Sequence, residues 1–124
     1  MLNQILLYAA AAFITLWGIA HLFPTRDVVK GFGNISPDNR NIITMEWIIE
    51  GMALIFTGVV LVLVTIIDPS HATSKAVYGA SVFMLAALAV VSLFTGYKVN
   101  FLPFKLCPLI FTIATGLIAL GMCL

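Results

Sequence analysis

The sequence predicts an all-α, polytopic integral membrane protein, a bundle of four transmembrane helices, and three observations support this fold class. Of the 124 residues, 62% are hydrophobic and only 9% are charged, whereas soluble domains carry roughly 25% charged residues. The mean hydropathy is high, at +1.14. The charges leave four uncharged runs, each close to the roughly 20 residues that a helix needs to cross a bilayer: 1–25, 51–67, 76–97 and 106–124. We therefore expect one transmembrane domain over residues 1–124.

The first two helices have recognisable boundaries. The first is predicted over about 4–23 and ends before Pro24, because proline lacks a backbone donor and disfavours helical geometry in the preceding residue. The second is predicted over 37–67, where Ser36 supplies a cap and Pro37 suits the first helical position. A helix of this length measures about 46 Å, more than the roughly 30 Å hydrocarbon core. Its first turns should project into the headgroup region.

The connectors between the spans indicate where the remaining two helices begin and end. In the first connector, "PTRDVVKGFGNI", Gly31 and Gly33 are turn signals. The connector "DPSHATSK" is short and polar, so it predicts that the second and third helices are antiparallel neighbours, with His71 as a solvated loop residue. The third and fourth helices are predicted over about 76–97 and 104–124.

Small residues recur on the last three predicted helices. In a membrane, such residues allow the close backbone approach of neighbouring helices. We expect helix contacts at the following positions: Gly51, Gly58, Ala80, Ala86, Ala89, Gly116 and Gly121.

Most basic residues lie in or beside the first and third connectors: Arg26, Lys30, Arg40, Lys98 and Lys105. Since basic residues in short loops are retained in the cytoplasm, both termini are predicted to lie outside. The expected location is the cytoplasmic membrane of a bacterium or archaeon. A net charge of +1 provides no basic surface for nucleic acid.

Glu46, Glu50 and His21 are candidate catalytic residues that could form a proton-handling cluster at the inner leaflet. Ionisable residues inside a membrane span are functional-site hypotheses by default. Counting roughly 20 residues back from Ile67 places Glu50 within the apolar slab and Glu46 just outside it. Glu50 therefore needs a partner or a proton, and the candidate partners are His21, Lys98 and Lys105.

A second group of residues could bind a ligand at the same leaflet: Trp17, Trp47, Tyr97, Lys98, Asn100 and Lys105. With the ionisable cluster and Cys107, they would form one polar vestibule. The aromatic members equally suit a membrane-interface belt, and His21 near a helix end suits a structural residue that reaches water. The spacing E-x-x-x-E with a distant histidine lacks the H-E-x-x-H pattern, so neither a metal site nor a cofactor is predicted.

Two motifs carry a family resemblance. The segment "WGIAHLFP" closes the first predicted helix and "MEWIIEG" opens the part of the second that carries both glutamates. With four short spans, they make the chain resemble the DoxX-like group of small bacterial four-helix membrane proteins, which implies the fold more than an activity. A remoter similarity is to sterol-isomerase-like bundles, which use a histidine and two glutamates under a membrane pocket; here both glutamates occupy one helix turn.

The predicted function is the binding of a small hydrophobic or lipid-like ligand in the vestibule, with proton transfer as the chemistry that the carboxylates and histidine could perform. Whether the protein is an enzyme stays open at this point. One alternative is an accessory subunit of a larger membrane complex. Another is a small proton-coupled transporter, although small multidrug exporters carry their coupling glutamate in the first helix, where this chain has no carboxylate. The expected partners are membrane lipids, a hydrophobic small molecule, and further copies of the chain or a larger membrane complex.

Overall fold

The computed structural model describes all residues 1–124 and contains helices and connecting loops, with no strands. Four helices are long and apolar enough to cross a membrane: α1 (Leu2–Leu22), α3 (Pro37–Ile67), α4 (Ala72–Phe94) and α5 (Leu102–Cys123). A short helix, α2 (Thr25–Gly31), and a 3₁₀ turn (Gly96–Lys98) lie in the connectors. The predicted fold class, an all-α protein with four membrane-spanning helices, is confirmed.

Capping explains where α3 and α4 begin. The Ser36 hydroxyl accepts a hydrogen bond from the Asn39 N–H at 3.2 Å, and α3 has the bounds expected from the sequence. Helix α4 begins at Ala72 rather than at 76, because the exposed His71 caps it. Its Nδ1 atom accepts from the Thr73 N–H at 3.2 Å. His71 is therefore a capping residue as well as a solvated one.

The first connector contains a short helix that the sequence did not predict, together with a turn at one of the two predicted glycines. Helix α2 starts directly after Pro24, where the missing proline N–H would have had no helical partner. Its Val29 side chain is buried and α2 packs against α3. The turn lies further on, at Gly33, whose positive φ of 72° suits glycine.

Helix α1 is at the centre of the bundle. It packs against α3 on one side and against α5 on another, while α4 packs mainly against α5. The buried apolar core runs along these contacts: Leu7, Ala10, Ala11, Ile14, Leu54, Leu61, Tyr78, Leu85, Phe111, Ala114 and Ile118. Large apolar side chains such as Phe56 and Phe83 point outward, as expected of helices that face lipid.

Helices α3 and α4 were predicted to be antiparallel neighbours, but they contact each other little. The hydrogen bonds between them lie beside the turn that joins them. Ser74 Oγ donates to the Val64 carbonyl at 3.3 Å. Thr65 Oγ1 lies 2.9 Å from the Tyr78 hydroxyl. Since Thr65 donates its own proton to the Leu61 carbonyl at 2.6 Å, Tyr78 is the donor in this pair.

Glycines allow α1 and α3 to approach closely. A Cβ atom added at Gly18 would lie 2.9 Å from the Gly51 carbonyl oxygen, a distance that real Cβ atoms do not tolerate. A Cβ atom at Gly58 would collide with Thr15 on α1. These contacts fix the relative depth of the two helices. Gly51 and Gly58 were predicted from the sequence, whereas Gly18 was not.

The other small residues give a mixed result. Gly121 faces α1, where an added Cβ would come within 3.0 Å of a backbone carbonyl, so that prediction is confirmed. Gly116 was predicted wrongly, because nothing lies within 4 Å of its Cβ position. Ala80 is exposed, while Ala86 and Ala89 are partly buried. Composition alone did not indicate which side of α4 faces α5.

Candidate functional site

The two ends of the bundle differ in the number of basic side chains that they carry. We call one the basic end, because these residues lie there: Arg26, Lys30, Arg40, Lys98 and Lys105. The opposite end, which we call the terminal end, holds both chain termini and the 68–71 turn. The predicted site residues all lie at the basic end, where α1 and α4 finish and α3 and α5 begin.

The His21–Glu50 contact is the only one in the structure that joins a basic side chain to a carboxylate. His21 Nε2, in the last turn of α1, lies 3.5 Å from Glu50 Oε2 on α3. The histidine side chain is 6% exposed and the glutamate side chain 49% exposed. Gly18 lies one turn before His21, and Gly51 directly follows Glu50, so the glycine contact between α1 and α3 brings the pair together. At 3.5 Å the pair is slightly beyond ordinary hydrogen-bond length.

Trp47 holds the His21 ring in place. The two rings stack with centroids 3.9 Å apart and planes inclined by 17°. Trp47 Nε1 also donates to the His21 backbone carbonyl at 2.8 Å, satisfying one of the free carbonyls at the end of α1. Phe104 of α5 meets Trp47 edge-on, with centroids 5.4 Å apart. Trp47 therefore makes specific contacts with two other helices, which a belt residue would not need.

A cavity of about 140 Å³ lies beside this histidine, among α1, α3 and α5. Its walls are mostly apolar and aromatic: Trp17, Ala20, His21, Pro24, Trp47, Leu102, Pro103, Phe104, Leu106 and Cys107. An apolar cavity of about 150 Å³ holds a molecule of the size of benzene. Glu50 is outside this lining and contacts the cavity only through His21.

Two nitrogen atoms beside the cavity have no hydrogen-bond partner. Trp17 Nε1 and His21 Nε2 are the only buried side-chain nitrogen or oxygen atoms in the structure in this condition. The Cys107 sulfur lies beside the Trp17 indole, but sulfur is a weak acceptor, and the thiol itself donates to the Pro103 carbonyl at 3.3 Å. An unsatisfied buried polar group costs about 1–3 kcal/mol, and His21 Nε2 has only its long 3.5 Å contact with Glu50, so neither nitrogen has a well-placed acceptor.

The remaining predicted residues lie elsewhere at the basic end. Lys105 Nζ stands 5.2 Å from the Tyr97 ring centroid, and both line a separate groove of about 380 Å³ between α4 and α5. Glu46, Lys98 and Asn100 are exposed and line neither space. The structure therefore has two separate spaces, the cavity beside His21 and the groove between α4 and α5, where the sequence predicted one vestibule. Of the three predicted partners of Glu50, only His21 lies against it.

Two features of the site differ from the sequence interpretation. His21 does not reach water, because the Trp47 ring covers it and only 8% of the residue is exposed. Phe104, a wall of the cavity, was not predicted. The sequence feature that could have identified Phe104 is its helical spacing from Pro108 and Phe111, which lie on the buried face of α5.

The donor set does not favour a metal ion. His21 and Glu50 supply two ligands, and no group of three or more His, Cys, Asp or Glu side chains converges anywhere in the structure. A protein metal site needs at least three such ligands in most cases. The arrangement instead suits hydrogen bonding and proton exchange between the imidazole and the carboxylate.

Comparison with known proteins finds no relative from which a role for these residues can be transferred. No protein family model, no curated protein and no solved structure matches this chain. The resemblance to DoxX-like proteins therefore stays a prediction. The chemistry of the site has to be argued from its own geometry.

Proposed function

We propose that this protein binds a small lipophilic molecule whose polar end carries an oxygen atom, such as a carbonyl or hydroxyl group. The observation that supports the proposal is that Trp17 and His21 line one cavity and hold the only unpartnered buried side-chain nitrogens. Buried polar groups are satisfied in nearly all native structures, so an exception calls for an explanation. A ligand oxygen would accept from the Trp17 N–H and exchange a hydrogen bond with His21.

The cavity limits the ligand class. Its volume of about 140 Å³ accommodates a ring or a short branched head group, not a whole lipid. The aromatic faces of Trp47 and Phe104 and the side chains of Leu102 and Leu106 provide apolar contacts. A longer tail would have to leave the cavity between helices and continue into the bilayer. The favoured ligand is therefore amphiphilic, with a compact oxygen-bearing head.

The His21–Glu50 pair extends the proposal to proton transfer. Glu50 is half exposed and lies 3.5 Å from His21, which lines the cavity. A proton could therefore pass from the Glu50 carboxyl group to His21 Nε2 and then, from the same nitrogen, to a ligand oxygen within its reach. Such transfer is ordinary general acid and base chemistry. The same pair would serve a proton-coupled transporter, whereas an accessory subunit would have no need of the cavity.

The membrane orientation is also part of the proposal. The five basic residues of the basic end support placing this end in the cytoplasm and both termini outside, in a bacterial or archaeal cytoplasmic membrane. In a variant without native cysteines, Ser70→Cys should react with an impermeant thiol reagent in intact cells, and Gly31→Cys should react only after lysis. Efficient labelling of Gly31→Cys in intact cells would overturn this orientation.

Native mass spectrometry of the purified protein tests the binding proposal. We expect a bound molecule of fixed mass on the unmodified chain. Trp17→Phe removes the unpartnered N–H but keeps an aromatic ring, and it should lower ligand retention about tenfold, the value of one hydrogen bond of about 1.4 kcal/mol. Tyr8→Phe is the matched control, because Tyr8 lies on the same helix, is exposed, and is remote from the cavity.

Three results would contradict the proposal. One is that the unmodified chain carries no small molecule. A second is that Trp17→Phe and Tyr8→Phe retain the ligand equally. The third is co-purification with other proteins at fixed stoichiometry and an empty cavity, which would favour the accessory-subunit alternative.

A further inference from the structure

A second concave surface lies at the basic end, between α2 and the first turns of α3. This pocket has a volume of about 230 Å³ and is lined by seven residues: Thr25, Arg26, Val29, Lys30, Arg40, Asn41 and Thr44. Three of them are cations, only one is hydrophobic, and none is acidic. It shares no lining residue with the cavity beside His21.

Helical spacing brings the three cations together. On α2, Arg26 and Lys30 are four residues apart and share a face with Val29. The Val29 side chain is buried where α2 packs against α3, and this contact turns the two cations towards Arg40. Like charges placed together repel one another, and no acidic side chain in the pocket offsets this cost.

The pocket presents donors almost exclusively. None of Arg26, Lys30 and Arg40 takes part in an ion pair, since the only pair in the structure is His21–Glu50. The hydroxyl protons of the two threonines are already used, Thr25 donating to the Leu22 carbonyl at 2.6 Å and Thr44 to the Arg40 carbonyl at 2.8 Å. The remaining free donors are two guanidinium groups, one ammonium group and the Asn41 amide. This donor set matches a phosphate group.

The depth of the pocket indicates the source of the phosphate. The rise along α3 from Arg40 to Ile67 is about 40 Å, which is about 10 Å more than the hydrocarbon core of a bilayer. With Ile67 at the opposite edge of the hydrocarbon core, we therefore expect Arg40 to lie among the lipid headgroups. We infer that α2 and the first turns of α3 form a binding site for a phosphate group, supplied by the headgroup of an anionic phospholipid. Basic pockets at this depth are suited to such headgroups.

The site is tested on the chain in phosphatidylcholine bilayers that contain a minority of phosphatidylglycerol. After extraction, native mass spectrometry counts the molecules of each lipid that stay bound. The unmodified chain should retain phosphatidylglycerol in preference to phosphatidylcholine. Arg26→Gln and Arg40→Gln should each lower that preference about fivefold, the effect of one cation near a membrane surface.

The control is Lys75→Gln, which removes the same charge from an exposed residue at the terminal end. Equal lipid preference in Arg40→Gln and Lys75→Gln would overturn the inference, provided that circular dichroism shows both to be folded. Addition of millimolar inorganic phosphate shows whether the bound phosphate group belongs to a lipid headgroup or to a free anion. Failure to displace phosphatidylglycerol supports a lipid headgroup, whereas displacement supports the same phosphate site with a free anion as its ligand. Because no residue is shared with the His21 cavity, loss of this site would leave the proposed ligand binding unchanged.

Discussion

The two ends of the bundle treat buried polar groups differently. At the terminal end, the hydroxyls of Thr65, Tyr78 and Ser74 are hydrogen-bonded within the protein. At the basic end, Trp17 and His21 each hold a buried nitrogen without a partner, beside a cavity. The hydrogen bonds of these groups at the terminal end are therefore made within the protein, where they hold helices together. At the basic end neither nitrogen has an acceptor at hydrogen-bond distance, which is the observation that supports the proposed binding site.

The largest effect is expected from Gly18→Ala, which breaks the contact that brings α1 and α3 together at the basic end. The added Cβ would lie 2.9 Å from the Gly51 carbonyl oxygen and from Ile55. Overpacking of this kind costs about 1–3 kcal/mol. We expect a lower unfolding temperature and weaker ligand retention, because the His21–Glu50 distance depends on this contact. Thermal unfolding in detergent and native mass spectrometry measure the two effects.

Gly116→Ala provides the matched control for this prediction. It makes the same chemical change, but nothing lies within 4 Å of the new Cβ position. Alanine is the better helix former by up to about 1 kcal/mol, so this variant should be as stable as the parent or slightly more stable. Equal destabilisation by the two substitutions would show that close approach at Gly18 does not hold the basic end together.

An intermediate effect is expected from Glu50→Gln. Comparison with Glu46→Gln distinguishes the roles of the two glutamates. The change removes the carboxylate that lies 3.5 Å from His21 and keeps its shape. Because the uncharged amide can no longer supply a proton to His21 or stabilise one there, ligand retention should fall about fivefold, equivalent to about 1 kcal/mol. Glu46→Gln should leave retention unchanged, because Glu46 is exposed and has no ion-pair partner. Similar losses in both variants would mean that the overall charge of the basic end matters, not the pair.

The smallest effect is expected from Tyr78→Phe at the terminal end. Thr65 would keep its bond to the Leu61 carbonyl, so only the bond from Tyr78 is lost. Interhelical hydrogen bonds in membranes contribute about 0.6 kcal/mol on average. The unfolding temperature should therefore fall slightly while ligand retention stays constant. A change in ligand retention would contradict the division of roles between the two ends.

Much of the fold followed from one-dimensional patterns. Uncharged runs located the four spans, and the Ser36 cap gave the start of α3, because both depend on residues close together in the chain. The depth of Glu50 and His21 also followed from counting along helices. Two residues at the same depth on neighbouring helices can meet, and this pair does.

The remaining features depend on how the helices are rotated about their axes and on which of them are adjacent. The sequence placed Tyr97, Lys105 and Trp17 at the same leaflet, but it did not show that α4 lies apart from α3. The sequence therefore could not predict that the cavity beside His21 and the groove beside Lys105 are separate. Nor was the cavity beside Trp17, since its walls come from three helices whose packing order the sequence leaves open.

The order in which helices pack has a consequence for biogenesis. Helix α1 packs against the next long helix, α3, and α4 packs against α5, so the chain consists of two hairpins, each made of consecutive spans. Contacts between such neighbours in sequence form quickly, so each hairpin can assemble as it leaves the translocation machinery. The α1–α5 contact joins the two hairpins, and we expect it to form after them, because it links residues far apart in the chain. Since the cavity needs residues of α1, α3 and α5, it closes only at this last docking step.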